Sequence, residues 1–505
     1  LKGMGLTAGV VCLAARQRGV TLLALGSPSL VRAGPLVTGV QEPYIENAGA
    51  RDLLLDRIAG SGSTATRVWL YWSRVAGSGR PANPANPADP AYDWSNVDGQ
   101  VRAARARGLR VILNIHETPS WAAAGSWSGR PAARAPVVSE LGLLARAAAE
   151  RYDGDFVPPG EASPLPEVRD WEVWNEPNLS YFLVPQRDAS GSSTAPAIYR
   201  DMVNTVAAAV HTVDPGNNVV AGVLAPFGAP DGHMPLDFMR RLLCMSGGAN
   251  PRPVCGLRVS FDVWSHHPYT QGGPTHDAYW PDDVSVGDLS EMRRLLRAAI
   301  RHGQVLPSRP VAFWVTEFSW ETKGPDPLGV PLRLHARWTS EVLYRMWSSG
   351  VSLVTWWILR DRPFPVYSEQ SGFYYCGASS LADEGTCFEP NASADAPKSR
   401  TIRAFRFPFV AFPRNGRVFT WGRTPAGKPG RVVIQRRTPS GWRRIGVLRA
   451  NQYGIFQKTW RIAATRGVWR ARLVRNGEAS VGFSLRRVPD RPLAHPFGCG
   501  GGLPC

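Results

Sequence analysis

The sequence predicts a (β/α)8 barrel followed by a small all-β, sandwich-like C-terminal domain. Three observations carry this. From about residue 36 to 362, eight largely apolar strand-like segments alternate with segments of helical periodicity. No Gly-rich phosphate loop follows an early strand, where a doubly wound open sheet would normally place one. After residue 400 the pattern changes to short alternating runs broken by Gly, Pro and Asn, which read as an antiparallel β module.

The strand candidates, in order, are PLVTGVQ (35–41), TRVWLYW (66–72), RVILNIHE (110–117), DWEVWNE (170–176), NVVAGVLAP (218–226), FDVWSHHPY (261–269), VAFWVTEFSW (311–320) and SLVTWWILR (352–360). Helical patterns lie between them, for example Ser95 to Arg107, Val138 to Tyr152, Ala197 to Val213, Leu289 to His302 and Leu334 to Ser349. Several carry apolar residues at i, i+3, i+4 and run into a glycine (Gly108, Gly303, Gly350), a common helix stop. A Pro/Asn-rich insert, PANPANPADPAYDW (81–94), falls in a βα loop on the expected active face. Residues 371–400 form the connection to the β module.

The 505 residues suit a large barrel plus an accessory module, and 44% apolar with 19% charged residues marks a globular chain. The net charge of +18 is unevenly placed. Residues 401–505 hold 21 Lys+Arg against 2 Asp+Glu, whereas the first 400 hold 37 against 38. A near-neutral body therefore carries a basic module, either a solubilising Arg-rich surface or a contact for an anionic polymer or cell surface. Charge alone does not make a nucleic-acid binder of it, and none is expected as a partner. The 19 Trp residues fit core filling and also sugar stacking.

The N-terminal segment ARQRGVTLLALGSPSLVRAG runs from a basic cluster into an apolar stretch, with small residues at 31 and 33, as an export signal cleaved after Ala33 does. Gly and Pro interrupt that stretch, so it is a poor membrane span, and no other segment approaches spanning length. Six of seven Cys fall into close pairs, which predicts disulfides Cys244–Cys255, Cys376–Cys387 and Cys499–Cys505 in an oxidising compartment. The expected organisation is an export segment (1–33), a barrel (34–400), a basic β module (401–490) and a Cys-stapled tail (491–505), in a secreted protein.

A barrel's chemistry sits at the C-terminal ends of its strands. Here the fourth ends Asn175-Glu176 and the seventh Thr316-Glu317, and Pro177 prevents the fourth from continuing because it has no N–H to donate. Two carboxylates across a barrel mouth are what glycoside hydrolysis needs: one protonated to serve the leaving oxygen, one ionised to attack the anomeric carbon. Arg67 and the Tyr269 hydroxyl are expected to keep Glu317 ionised, and Trp and Pro neighbours to desolvate Glu176. Asn175 would offer its amide to a sugar 2-hydroxyl. His116, His267, Tyr269, Trp356 and Trp357 complete the candidate substrate-binding set with Arg67 and Asn175. Arg67 has a second reading as a salt bridge of the barrel core, and His267 as a structural histidine. Side chains alternate along a strand, so one of Trp356 and Trp357 should face inward and the other the helices. The stretch HHPYTQGGPTH lacks an H-E-x-x-H arrangement. No metal or other cofactor is expected.

These residues resemble the motifs of the retaining glycoside hydrolases built on the (β/α)8 barrel. WNEPN is similar to their fourth-strand acid/base motif, WVTEFSW to their seventh-strand nucleophile motif, HPY to their sixth-strand His/Tyr pair, and Arg67 to their second-strand Arg. The resemblance covers roughly residues 36–400. It is nearest to family 39, which includes β-xylosidases, α-L-iduronidases and exopolysaccharide glycosidases, with family 5 cellulase-like enzymes next. It implies a retaining hydrolase acting on oligo- or polysaccharides, with Glu176 as acid/base and Glu317 as nucleophile. The third strand, IHETP, departs from the pattern and leaves His116 and Glu117 without assigned roles. A transglycosylase would use the same residues, and a carbohydrate-binding protein would use the same cleft without turnover.

Overall fold

A computed structural model describes residues 34–490 except 126–129, 229–230, 307–309, 365–368 and 378–391. The expected export segment, the stapled tail, Cys387, Cys499 and Cys505 lie outside the described residues. Eight parallel strands close into a barrel: β1 (Val37–Gln41), β2 (Ala65–Tyr71), β3 (Arg110–His116), β4 (Asp170–Val173), β5 (Asn218–Leu224), β6 (Val263–His266), β7 (Ala312–Val315) and β8 (Leu353–Trp357). Each pairs with the next, and β1 closes the ring on β8 with Val37 beside Leu353. A helix follows every strand: α1 (Ala48–Gly60), α2 (Ser95–Ala106), α3 (Val138–Arg151), α4 (Ala195–Val213), α5 (Pro235–Leu242), α6 (Leu289–Arg301), α7 (Leu332–Ser348) and α8 (Ser399–Arg406). The eighth helix spans residue 400, where the charge balance changes. None of the described helices is long and apolar enough to cross a membrane.

The interior is layered. Ala65, Ile112, Val220, Val263, Trp314 and Leu353 form an apolar plug. Side chains alternate along a strand, so the next inward residues are Arg67, Asn114, Gly222, Ser265, Thr316 and Thr355. That layer is buried and mostly polar, and it forms the floor under the barrel mouth. The regular strands end earlier than the apolar runs suggest, at Val173 for β4 and Val315 for β7. The residues beyond leave the ladder to build the site.

The C-terminal module has two antiparallel sheets. One contains β9 (Phe409–Arg414), β10 (Arg417–Arg423) and β13 (Ile455–Trp460); the other contains β11 (Gly430–Thr438), β12 (Gly441–Ala450), β14 (Val468–Leu473) and β15 (Phe483–Ser484). Their inner faces meet closely at Gly446, where a Cβ would stand 2.7 Å from the Trp460 ring. The module docks on α7. Tyr344 packs against Trp421 at 5.4 Å between ring centroids, and the Arg337 guanidinium lies 4.0 Å from the Phe483 ring centre and donates to Ser484 O. The described residues fall in one compact unit. Cys244 and Cys255 are disulfide-bonded as expected, closing a short loop after α5. Cys376 is also disulfide-bonded.

Candidate active site

The chain after β4 carries the first carboxylate by leaving strand geometry before Pro177 is reached. Trp174 (φ 68°) and Glu176 (φ 41°) both occupy the left-handed region, which costs non-glycine residues on the order of 1–3 kcal/mol each. Neighbouring backbone fixes the bend. Trp174 N donates to Ile115 O of β3 at 2.8 Å, and Glu176 N donates to Val223 O at 3.0 Å. That carbonyl is available because β5 bulges between Gly222 and Leu224. Asn178 ties the loop to the one after β5: its Oδ1 accepts from Ala225 N at 2.9 Å and its Nδ2 donates to His233 O at 3.0 Å.

The second carboxylate, Glu317, follows β7 and is held from below by Arg67. The Arg67 guanidinium donates through Nη1 to Glu317 Oε1, through Nε to Glu172 Oε2, to Gln41 Oε1 at 2.9 Å and to Asn175 Oδ1 at 2.8 Å. Its side chain has no exposure. This corrects the expectation that Arg67 touches substrate: it is the buried salt bridge of the barrel, and every nitrogen of its planar fork donates to a protein oxygen. Tyr269 donates its hydroxyl to Glu317 Oε2 at 3.2 Å. With Oδ1 of Asn175 committed to Arg67, its Nδ2 has no protein partner among the described residues.

His267 bridges the two acids. Its Nδ1 lies 2.9 Å from Glu176 Oε1 and 3.8 Å from Glu317 Oε2, and its Nε2 lies 3.2 Å from Thr316 Oγ1. The ring is fully buried, so it orients Glu176 rather than reaching substrate. One oxygen from each of Glu176 and Glu317 lies within 4.8 Å of the other. Burial pushes the Glu176 carboxyl up to about 7, against the pull of Arg67. Burial also raises Glu317, opposed by His267 and Arg67 and reinforced by Glu176 and Glu172. The expected contrast between the acids therefore comes from their donors. Glu317 has a guanidinium and a phenol donating to its oxygens, which favour its charged form, whereas Glu176 has, among the described residues, only the His267 ring on its own. Burial lowers His267 to about 4, which keeps it neutral.

A cavity of about 300 Å³ opens over these groups. Glu176, Glu317, Tyr269 and Trp357 line it, joined by Phe182, Phe227, Trp320, Glu321 and Glu369. Trp357 faces in and Trp356 faces out. Trp356 is fully buried, donates to Ser371 O at 2.9 Å and packs on Phe373 and Phe405, so it is a packing residue and not a sugar platform. His116 packs at a tilt against Tyr71 and Trp69, with neither ring nitrogen paired, outside the cavity lining. Glu117 pairs with Arg130 at 2.7 Å and Ser73 at 2.9 Å. Sequence reasoning missed Glu172, Gln41, Asn114, Asn178 and Thr316. A charge inside an apolar strand, as in DWEVW, was the available signal for Glu172, since a buried carboxylate requires a cation.

Glu176, His267 and Glu317 also have the spacing of a three-ligand metal group. Arg67 already places a fixed positive charge on Glu317, which disfavours a second cation there.

The fold and site together define a (β/α)8 barrel with two carboxylates paired across its mouth. In fold the chain is similar to a family 39 glycoside hydrolase from the gut symbiont Bacteroides cellulosilyticus WH2, with a TM-score of 0.50 and 15% identity over 84% of this chain and 79% of that one. A monomeric β-xylosidase from Caulobacter crescentus CB15 aligns at a TM-score of 0.45 and 16% identity, covering 85% of this chain and 96% of that one. A glucosidase from Croceicoccus marinus aligns at 0.43 and 13%, covering 86% and 94%. No protein-family profile and no curated protein matches the sequence.

Proposed function

We propose that the chain is a retaining glycoside hydrolase of family 39 type, exported, with Glu317 as nucleophile and Glu176 as acid/base. One observation carries the reading: carboxylate oxygens from the ends of β4 and β7 lie within 4.8 Å of one another. That suits the ~5–5.5 Å carboxyl spacing of retaining enzymes and leaves no room for the water that an inverting pair separated by ~6.5–9.5 Å accommodates. Glu317 attacks the anomeric carbon while Glu176 gives its proton to the departing oxygen. Glu176, now ionised, takes a proton from water, whose oxygen attacks the same carbon and releases Glu317. The Asn175 amide, next to Glu176 in the chain, would donate to the 2-hydroxyl, and Trp357, which lines the cavity, would offer an aromatic wall to the sugar.

The cavity favours neutral sugars. Four carboxyl groups line it, and no Lys or Arg is among its described lining residues. Burial and the neighbouring Asp326 push Glu321 up to about 9, so that group meets a sugar as a neutral hydrogen-bonding acid. A uronic acid would set its charge against Glu317 and Glu369. The two disulfide-bonded sites in the barrel chain favour an oxidising compartment. Aryl glycosides of neutral sugars test the reading: at least one should be hydrolysed by the native chain and not by Glu317→Gln. Equal turnover by both chains would overturn it.

A further inference from the structure

The four-stranded sheet of the C-terminal module presents a face made largely of arginine. Its register puts Arg431 opposite Arg449, Val433 between Arg472 and Val447, Gln435 between Arg444 and Arg470, and Arg437 opposite Trp442. Directly paired residues project to the same side of a sheet. The other side carries Val432, Ile434, Ala471 and Leu473, all buried, so the arginine side is the outer one. Five of its six arginines are exposed, and the sixth, Arg470, is half-buried with its guanidinium 4.0 Å from the Trp442 ring centre. The module's two acids are engaged elsewhere, Glu478 with Arg406 and Asp490 with His276. None of the six arginines forms an ion pair with a described residue.

Folding does not require this arrangement and is opposed by it, because like charges on facing strands repel. A solubilising surface would intersperse signs rather than gather one sign on one sheet face. We infer that this face binds an anionic polysaccharide, its arginines taking the carboxylate or sulfate groups along the chain. Planar guanidinium forks suit such groups bidentately, and rows of strands about 4.8 Å apart repeat them at close spacing. A polysaccharide is favoured over a nucleic acid or a membrane by the attached barrel, a choice that rests on the glycosidase reading. The acidic cavity and the basic face then divide the work: the module holds an anionic polymer, and the barrel acts on neutral residues within or beside it.

The test uses the full chain carrying Glu317→Gln, so that binding is read without turnover, and the probe is polygalacturonate. Binding is expected at low salt and should weaken as salt rises. Substituting Arg431, Arg444, Arg449 and Arg472 together by Gln should weaken it roughly tenfold or more. The same four-charge change off the face, at Arg414, Arg417, Lys428 and Arg461, should weaken it less than about threefold. The face variant should melt no lower than its parent, since it loses repulsion; the pair Arg449→Gln with Arg472→Gln gives a smaller loss in the same direction if the fourfold change misfolds. Equal losses from both charge sets would overturn the inference, as would tighter face-dependent binding to duplex DNA or phosphatidylserine vesicles. None of these outcomes depends on whether the barrel turns over a glycoside.

Discussion

Arg67 donates to Glu317 from the floor of the cavity, and no part of its side chain reaches solvent. The same guanidinium holds Glu172 and Asn175, so one buried cation sets two carboxylates and the amide beside the acid/base candidate. Arg67→Ala should cost about 3–5 kcal/mol of stability, because it leaves Glu172 buried without a cation. Arg67→Lys is the informative change. A point charge cannot serve four acceptors, so the chain should fold while kcat falls at least tenfold and the acid limb of the pH profile moves up as Glu317 loses its donor. A circular-dichroism melt and a pH–rate profile read both.

The Glu176 carboxyl, raised to about 7 by burial, predicts that turnover falls as pH rises through about 7. The same shift acts on stability. A carboxyl whose folded pKa lies above its unfolded value binds more protons when folded, so its contribution is present below about 4.5 and lost as pH climbs to about 7. Glu176→Gln should therefore flatten the decline in melting temperature between these limits, by an amount worth on the order of 3 kcal/mol.

Asn175 Nδ2 should matter only where there is a hydroxyl to meet. Asn175→Ala should lower kcat/KM by roughly a hundredfold on a glycoside with a free 2-hydroxyl and by much less on its 2-deoxy analogue. Equal losses on both substrates would mean that Asn175 acts through Arg67 and not through the sugar.

Trp356 and Trp357 are neighbours with opposite duties. Trp356→Ala should cost about 3–5 kcal/mol of stability, since it empties a fully buried site between β8 and the residues of α8. Trp357→Ala should leave the melting temperature nearly unchanged and raise KM. Thermal melts and steady-state kinetics on the two variants separate these effects.

The barrel was legible because the strands are largely apolar and several of the helices between them show a 3.6-residue period; those patterns report burial, and burial is what the fold repeats. Glu176 and Glu317 were legible for a related reason, as charges at the ends of apolar runs. The end of β4 was not, because Trp174 is as apolar as the ladder residues before it, and only the turn of the backbone takes it out of the ladder. The bulge at Gly222 and Val223 left a trace, a glycine within a strand pattern, but its role in receiving Glu176 N depends on the neighbouring strand. Arg67 shows the limit of one-dimensional reading most clearly. Whether it met substrate or core depended on Gln41, Glu172, Asn175 and Glu317 converging from β1, β4 and β7, and spacing along the chain does not encode that convergence. Trp356 and Trp357 were separable by alternation, but the parity of β8 was fixed only by its pairing with β1.

The covalent step is the centre of the account. A 2-deoxy-2-fluoro glycoside with a good leaving group, matched to whichever neutral aryl glycoside the chain hydrolyses, should lose that group, glycosylate the Glu317 carboxylate and leave the enzyme trapped as the fluoroglycosyl ester. Mass spectrometry of the digested protein should find one added fluorosugar on the peptide that contains Glu317, and product released from the natural-sugar substrate should keep its anomeric configuration. An inverted product with no adduct on Glu317 would contradict the account.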